Sequence, residues 1–197
     1  MNKNKRGPKP KGEISCGEAI LKAAYRCFSF YGFDKATTRI IAAEAGVDAS
    51  LIAYNFGSKD KLWLKVIDSL CEEQKEFIQG IEGLINGEIS GKEAIHTLIE
   101  IIIAIAEQYP EFHMMISHEM SGDSERFGVL KTRLIDPFLV KVGPVLKRSM
   151  DEGNFPSGNP EMTLYFLLSG SSHVIHTWPE RDGLLDDLKT LLLNMIP

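Results

Sequence analysis

The chain has 197 residues, of which 44% are hydrophobic and 25% charged, and it carries a formal net charge of −5. These proportions exclude a disordered polyelectrolyte. The longest strongly apolar run, residues 98–106, contains Glu100 and falls far short of the roughly 20 residues that a membrane-crossing helix needs. The charge is unevenly placed: residues 1–65 hold 12 Lys/Arg against 6 Asp/Glu, and residues 66–197 hold 10 against 21. A locally basic surface is enough for contact with a polyanion, and an acidic body discourages docking the wrong way round. Chance asymmetry between two domains gives the same pattern. The basic N-terminus is not followed by an apolar segment and cleavage site, so a cytoplasmic protein without a membrane span is expected. Cys16, Cys27 and Cys71 lie far apart and read as reduced thiols.

Residues 1–13 are basic and rich in Pro and Gly, which predicts a flexible arm. Helical periodicity begins at Ile14. Ile20, Leu21, Ala24, Phe28 and Tyr31 share one helix face, and Gly32 suits its C-terminal end. Thr37 or Thr38 can cap a short second helix with apolar Ile40, Ile41 and Ala45, which Gly46 ends. Asp48 can cap a third helix over residues 49–55. Ser58 can cap a fourth, with Leu62, Val66, Leu70 and Phe77 on one face. Residues 80–91 hold four glycines and read as a connection. A buried helix follows over residues 92–108, and Pro110 breaks it. A short helix over 111–120 and a turn at Gly122, Asp123 and Ser124 come next. A long helix over 129–152 contains Pro137 and Pro144, which should kink or interrupt it. Helices over 161–177 and 184–195 complete an all-α chain of about nine helices, since no strand alternation appears.

Residues 37–56 carry the most specific signal. Two short helices joined by a tight turn form a helix-turn-helix when small residues let them approach. Ala42 and Ala45 are small, Gly46 supplies the positive φ of the turn, and Val47, Leu51 and Ile52 fill the core between the helices. Ala49, Ser50, Ala53, Tyr54 and Asn55 are left to face a DNA groove. Asn55 alone among them suits bidentate reading of adenine.

The run Phe33-Asp34-Lys35-Ala36-Thr37-Thr38-Arg39-Ile40-Ile41-Ala42-Ala43-Glu44-Ala45-Gly46-Val47, with Tyr54-Asn55-Phe56-Gly57-Ser58-Lys59-Asp60-Lys61-Leu62 behind it, resembles the DNA-binding signature of the TetR family of repressors. The resemblance covers residues 14–65 closely and the rest of the chain in helical rhythm. It implies an N-terminal three-helix DNA-binding domain over 14–60 and a larger C-terminal effector-binding and dimerisation domain over 61–197. Thr37, Thr38 and Lys59 would meet phosphate, helped by the positive helix ends, and Arg39 lies beside them. Tyr54 would rest on phosphate or a thymine methyl. The family often has an aromatic residue where this chain has Ala53 and His where it has Asn55. Arg6 and its Gly and Pro neighbours resemble arms that enter narrow minor grooves, although a basic tail adding only nonspecific affinity fits equally well.

The resemblance further implies a homodimer on double-stranded DNA at a palindromic operator, released by a small molecule. The stretch Tyr109, Phe112, His113, Met114, Met115, Ile116, His118, Glu119 and Met120 mixes adaptable apolar side chains with a few polar ones. It suits one wall of a largely apolar pocket. The candidate ligand residues are Phe77, Ile102, Phe112, Met115, His118, Glu119, Phe138, Phe166 and His173. Leu164, Leu167, Leu168, Ser171 and Ile175 are the candidate dimer interface, in a helix whose small residues permit close approach. His173 and His176 stand three apart, but two ligands do not make a metal site, and no cofactor is expected. No nucleophile elbow, phosphate loop or metalloprotease motif is present, so an enzyme is not expected. An activator, an effector-independent DNA binder and a metal-responsive regulator remain alternatives.

Overall fold

The computed structural model describes residues 15–120, 125–194 and 196. The predicted arm over 1–13, with Arg6, and the predicted turn at 122–124 lie outside these residues. Among the described residues the chain is all-α. Helix α1 (Cys16–Lys35) opens with a capping box: Ser15 Oγ accepts from Glu18 N at 3.2 Å, and Ser15 N donates to Glu18 Oε2 at 2.7 Å. Gly32 does not end this helix but bends it, at φ 72° and ψ 165°, a region open essentially to glycine alone. A Cβ at Gly32 would also stand 3.3 Å from the ring of His118.

Helices α2 (Thr38–Ala45) and α3 (Ser50–Phe56) follow, then the long α4 (Lys59–Gly80), capped by Ser58 Oγ on Lys61 N at 3.1 Å. The glycine-rich stretch predicted as a connection contains a short helix, α5 (Glu82–Asn86), ended by Gly87 in the left-handed region. Helices α6 (Gly91–Gln108) and α7 (Pro110–Met120) come next, with Pro110 at the first position of α7. It breaks one helix and begins another, because a missing N–H costs nothing in a first turn.

The predicted interruption of the long helix takes a specific form. Helix α8 (Glu125–Leu130) passes through a π-helical turn (Lys131–Ile135) into α9 (Asp136–Asp151). Pro137 has no N–H to give the carbonyl four residues earlier. That carbonyl, Arg133 O, accepts instead from Cys71 Sγ of α4 at 3.6 Å, and Leu134 O accepts from Gln74 Nε2 at 3.0 Å. Asp68 adds an ion pair to Arg133 at 2.7 Å. Pro144 is carried inside α9. Helices α10 (Pro160–Thr177) and α11 (Leu184–Leu193) close the fold.

Two apolar cores result. The first joins α1–α4 to the inner sides of α7 and of the helix that precedes α9, around Phe28, Ile41, Ile52, Trp63 and Met115. The second lies among α6, α9, α10 and α11, around Leu98, Ile102, Leu146 and Leu164. Helix α4 begins in the first core with Leu62 and Trp63, and its Phe77 packs on the second. A domain boundary at residue 60 therefore falls at the start of one continuous helix.

Candidate functional site

Thr37 caps α2: its Oγ1 accepts from Ile40 N at 3.2 Å, which leaves the hydroxyl hydrogen to donate outward. Gly46, at φ 66°, closes the helix in a Schellman arrangement. Val47 N donates to Ala42 O at 3.0 Å, and Gly46 N to Ala43 O at 3.2 Å. Asp48 Oδ1 then accepts from both Ser50 N at 2.8 Å and Ser50 Oγ at 2.5 Å, holding the first turn of α3. Those hydrogen bonds pull the Asp48 carboxyl below its ordinary pKa. Ile52 is buried under the turn, so α3 has its back fixed to the core.

Thr37, Arg39, Ser50, Ala53, Tyr54 and Asn55 are exposed, and Thr38 is half-buried. Tyr54 stands out at 85% exposure. Ala49, predicted to face a groove, instead packs half-buried on the core, because it precedes α3 as its N-terminal cap. Two polar side chains of α3 are already engaged. Ser50 donates to Asp48, and Asn55 Nδ2 donates to Leu51 O of its own helix at 2.7 Å.

Lys59 is also committed. Its Nζ donates to Phe33 O at 2.8 Å and lies 4.2 Å from the centre of the Phe33 ring. A bent helix end leaves carbonyls without partners, and a cation there is favourable. Arg126 rests on the same ring at 3.9 Å and pairs with Glu119 Oε2 at 3.0 Å. Phe33 is thus the point where the head, α4 and the helices after α7 are fastened together.

A cavity lies between the two cores. Its volume is about 120 Å³. Helix α4 supplies Leu70, Gln74 and Phe77, with exposed Glu73 at the rim. From α7 come Phe112, His113 and Ile116, and Ile105 and Tyr109 close that side. Leu134 and Ile135 of the π-turn, Phe138 and Leu139 of α9, and Tyr165, Leu168 and Ser169 of α10 complete the wall. Burial lowers the His113 imidazole to about 4, so it is uncharged at neutral pH. Its Nε2 is buried without a hydrogen-bond partner.

Of the predicted ligand residues, Phe77, Phe112 and Phe138 line this cavity. The others do not. Ile102 and Met115 are buried in the cores, His118 packs on the bend at Gly32, and Glu119 is buried against Arg126. Phe166 is 69% exposed, and His173 is exposed too. His113, Gln74 and Leu134 are the notable additions. His113 stood within the stretch singled out in the sequence. Gln74 and Leu134 reach the wall through the pairing of α4 with the π-turn, which leaves no local signal.

The predicted interface residues need a similar correction. Leu164, Leu167, Leu168 and Ser171 are buried within the chain's own core, and Ile175 packs against it. The apolar stripe of α10 is spent inside the protomer. Its outward face instead presents Met162 at 73% and Phe166 at 69% exposure.

An exposed helix-turn-helix mounted on a helix that walls a cavity defines a DNA-binding regulator. Residues 20–66 match the model described as bacterial regulatory proteins, tetR family. Residues 20–66 therefore form the DNA-binding domain of the TetR family of transcriptional regulators. The chain is similar to the HTH-type transcriptional repressor AcnR of Corynebacterium efficiens, at 28% identity over 66% of this chain and 70% of that one. Other curated relatives align over 35% to 60% of their own length. The fold is that of HlyIIR, a hemolysin II transcriptional regulator, with a TM-score of 0.65 at 22% identity, covering 92% of this chain and 96% of that one. It is likewise that of the fatty acid degradation regulator FadR from Bacillus halodurans, with a TM-score of 0.65 at 18% identity over 93% and 97%. No helix among the described residues is long and apolar enough to cross a membrane.

Proposed function

We propose that the chain represses transcription by binding a palindromic operator as a homodimer, and that a small, largely apolar effector in the cavity releases it. One observation carries this reading. Helix α4 supports the head through Leu62 and Trp63 and walls the cavity through Leu70 and Phe77. A ligand that prefers one placement of α4 therefore biases the position of α2 and α3. The lining of the cavity, carbon over most of its surface, supports an apolar ligand class.

Thr37, Arg39 and Tyr54 meet the DNA as they stand, with Thr38 beside them. Lys59, half-buried and bonded to Phe33 O, has an N–H left over for a phosphate at the edge of the head. Ala53 lets the backbone of α3 approach the groove. A second copy covers Met162 and Phe166 of α10, because two half-sites need two heads and these side chains have no cover among the described residues. The test selects binding sites from random duplexes with the full chain and weighs the complex. A palindromic site holding two chains is expected, with reporter repression from that site. A site without symmetry, or one chain per site, would overturn the reading.

A further inference from the structure

The cavity wall has an unusual polar inventory. Most of it is carbon. Among the described residues its lining includes no Lys or Arg, and its charged member, Glu73, is exposed at the rim. Gln74 is already engaged with Leu134 O, Tyr165 Oη sits 3.4 Å from Met120 Sδ, and half-buried Tyr109 and Ser169 bring two further hydroxyls to the wall. Among the described residues, His113 Nε2 is the buried side-chain polar atom of this wall that has no partner. A buried polar group is normally satisfied, and one left without a partner beside a cavity gains one when a small turn of the ring brings it to the cavity surface.

We propose that the cavity takes an uncharged amphiphile, a hydrocarbon body carrying one hydroxyl or carbonyl oxygen that hydrogen-bonds His113 Nε2. This rests on reading the cavity as the effector site. The alternatives fit less well. A carboxylate would enter past Glu73 and find no cation on the wall, so its desolvation would go uncompensated. A quaternary ammonium would be welcome beside Glu73 and the aromatic rings, but it has no atom to satisfy His113. The neutral imidazole offers one nitrogen as donor and the other as acceptor, so a hydroxyl or a carbonyl serves equally. His113 is held by burial in this uncharged form at neutral pH.

The experiment measures binding of 1-decanol, decanoate and decyltrimethylammonium to the full chain at pH 7.5 by calorimetry, with operator release followed in parallel. Decanol should bind at least about tenfold more tightly than either charged probe. His113→Phe should weaken decanol by about fivefold to tenfold and leave decyltrimethylammonium unchanged, whereas His113→Gln should recover much of the loss. Thermal melting of each variant separates this loss from misfolding. Tighter binding of either charged probe, equal decanol affinity in H113F, or no binding of all three probes would overturn the proposal. Decanol binding that depends on His113 but does not release the operator would uphold the site and overturn its role as effector site.

Discussion

The reading helix and the cavity wall treat their polar groups in opposite ways. On α3, Ser50 and Asn55 are exposed yet already bonded, to Asp48 and to Leu51 O. In the cavity, His113 is buried yet unbonded at Nε2. One N–H of Asn55 and the hydroxyl hydrogen of Ser50 are thus already spent inside the head, which leaves fewer donors for reading a base. A partner of the cavity fills a deficit that the fold leaves open. Under the proposed function, the head would rely on shape and phosphate contact, and the body on chemical discrimination.

The largest expected effect tests the body. Unfolded, His113 titrates near 6.5, and in the fold near 4. Between those values the unfolded chain binds more protons. Stability is therefore complete above about pH 6.5 and falls as the pH drops towards 4, by roughly 1.4 kcal/mol per unit from this residue. Glu73, Tyr109 and Tyr165 share the cavity with it. Urea unfolding across pH 4 to 7 checks this, and the slope should flatten in His113→Phe. An equal slope in both proteins would remove the buried, neutral imidazole from the account.

The next effect lies at the joint between the regions. Gly32→Ala places a side chain at φ 72° and ψ 165° and sets a Cβ 3.3 Å from His118. About 1–3 kcal/mol of stability should be lost, read as a lower urea midpoint. No shift would mean that the bend in α1 is not held by its contact with α7.

The head gives the two smaller effects. Tyr54→Ala should cut operator affinity by about tenfold without changing stability, since the side chain is 85% exposed. Asn55→Ala should cost less than about threefold, because its amide is bonded to Leu51 O. Anisotropy titrations on the selected operator measure both. If Asn55→Ala costs more than Tyr54→Ala, the contrast between the regions fails, and α3 reads bases through a displaced amide.

How much of this the sequence revealed follows from the range of the interactions. The helix-turn-helix was legible because Thr37, Gly46, Asp48 and Ser58 act on neighbours a few residues away. Pro137 announced an interruption but not its form, since the π-turn depends on Cys71 and Gln74 from another helix. Apolar periodicity found the inner face of α10 and mistook it for the interface, because the same stripe serves a core or a partner. Lys59 matched its motif, but its bond to Phe33 O needed the bend at Gly32. Among the aromatic candidates, Phe77, Phe112 and Phe138 were found and Phe166 was not. The pattern marks apolar residues without saying which side of a helix the cavity lies on.

The central claim is that cavity and head are coupled through α4, and reciprocity tests it most directly. Decanol affinity should be measured for the free chain and for the chain saturated with operator. Coupling requires operator to weaken decanol by the same factor that decanol weakens operator, about 5-fold to 150-fold for ordinary coupling energies. Equal decanol affinity with and without operator would contradict the account.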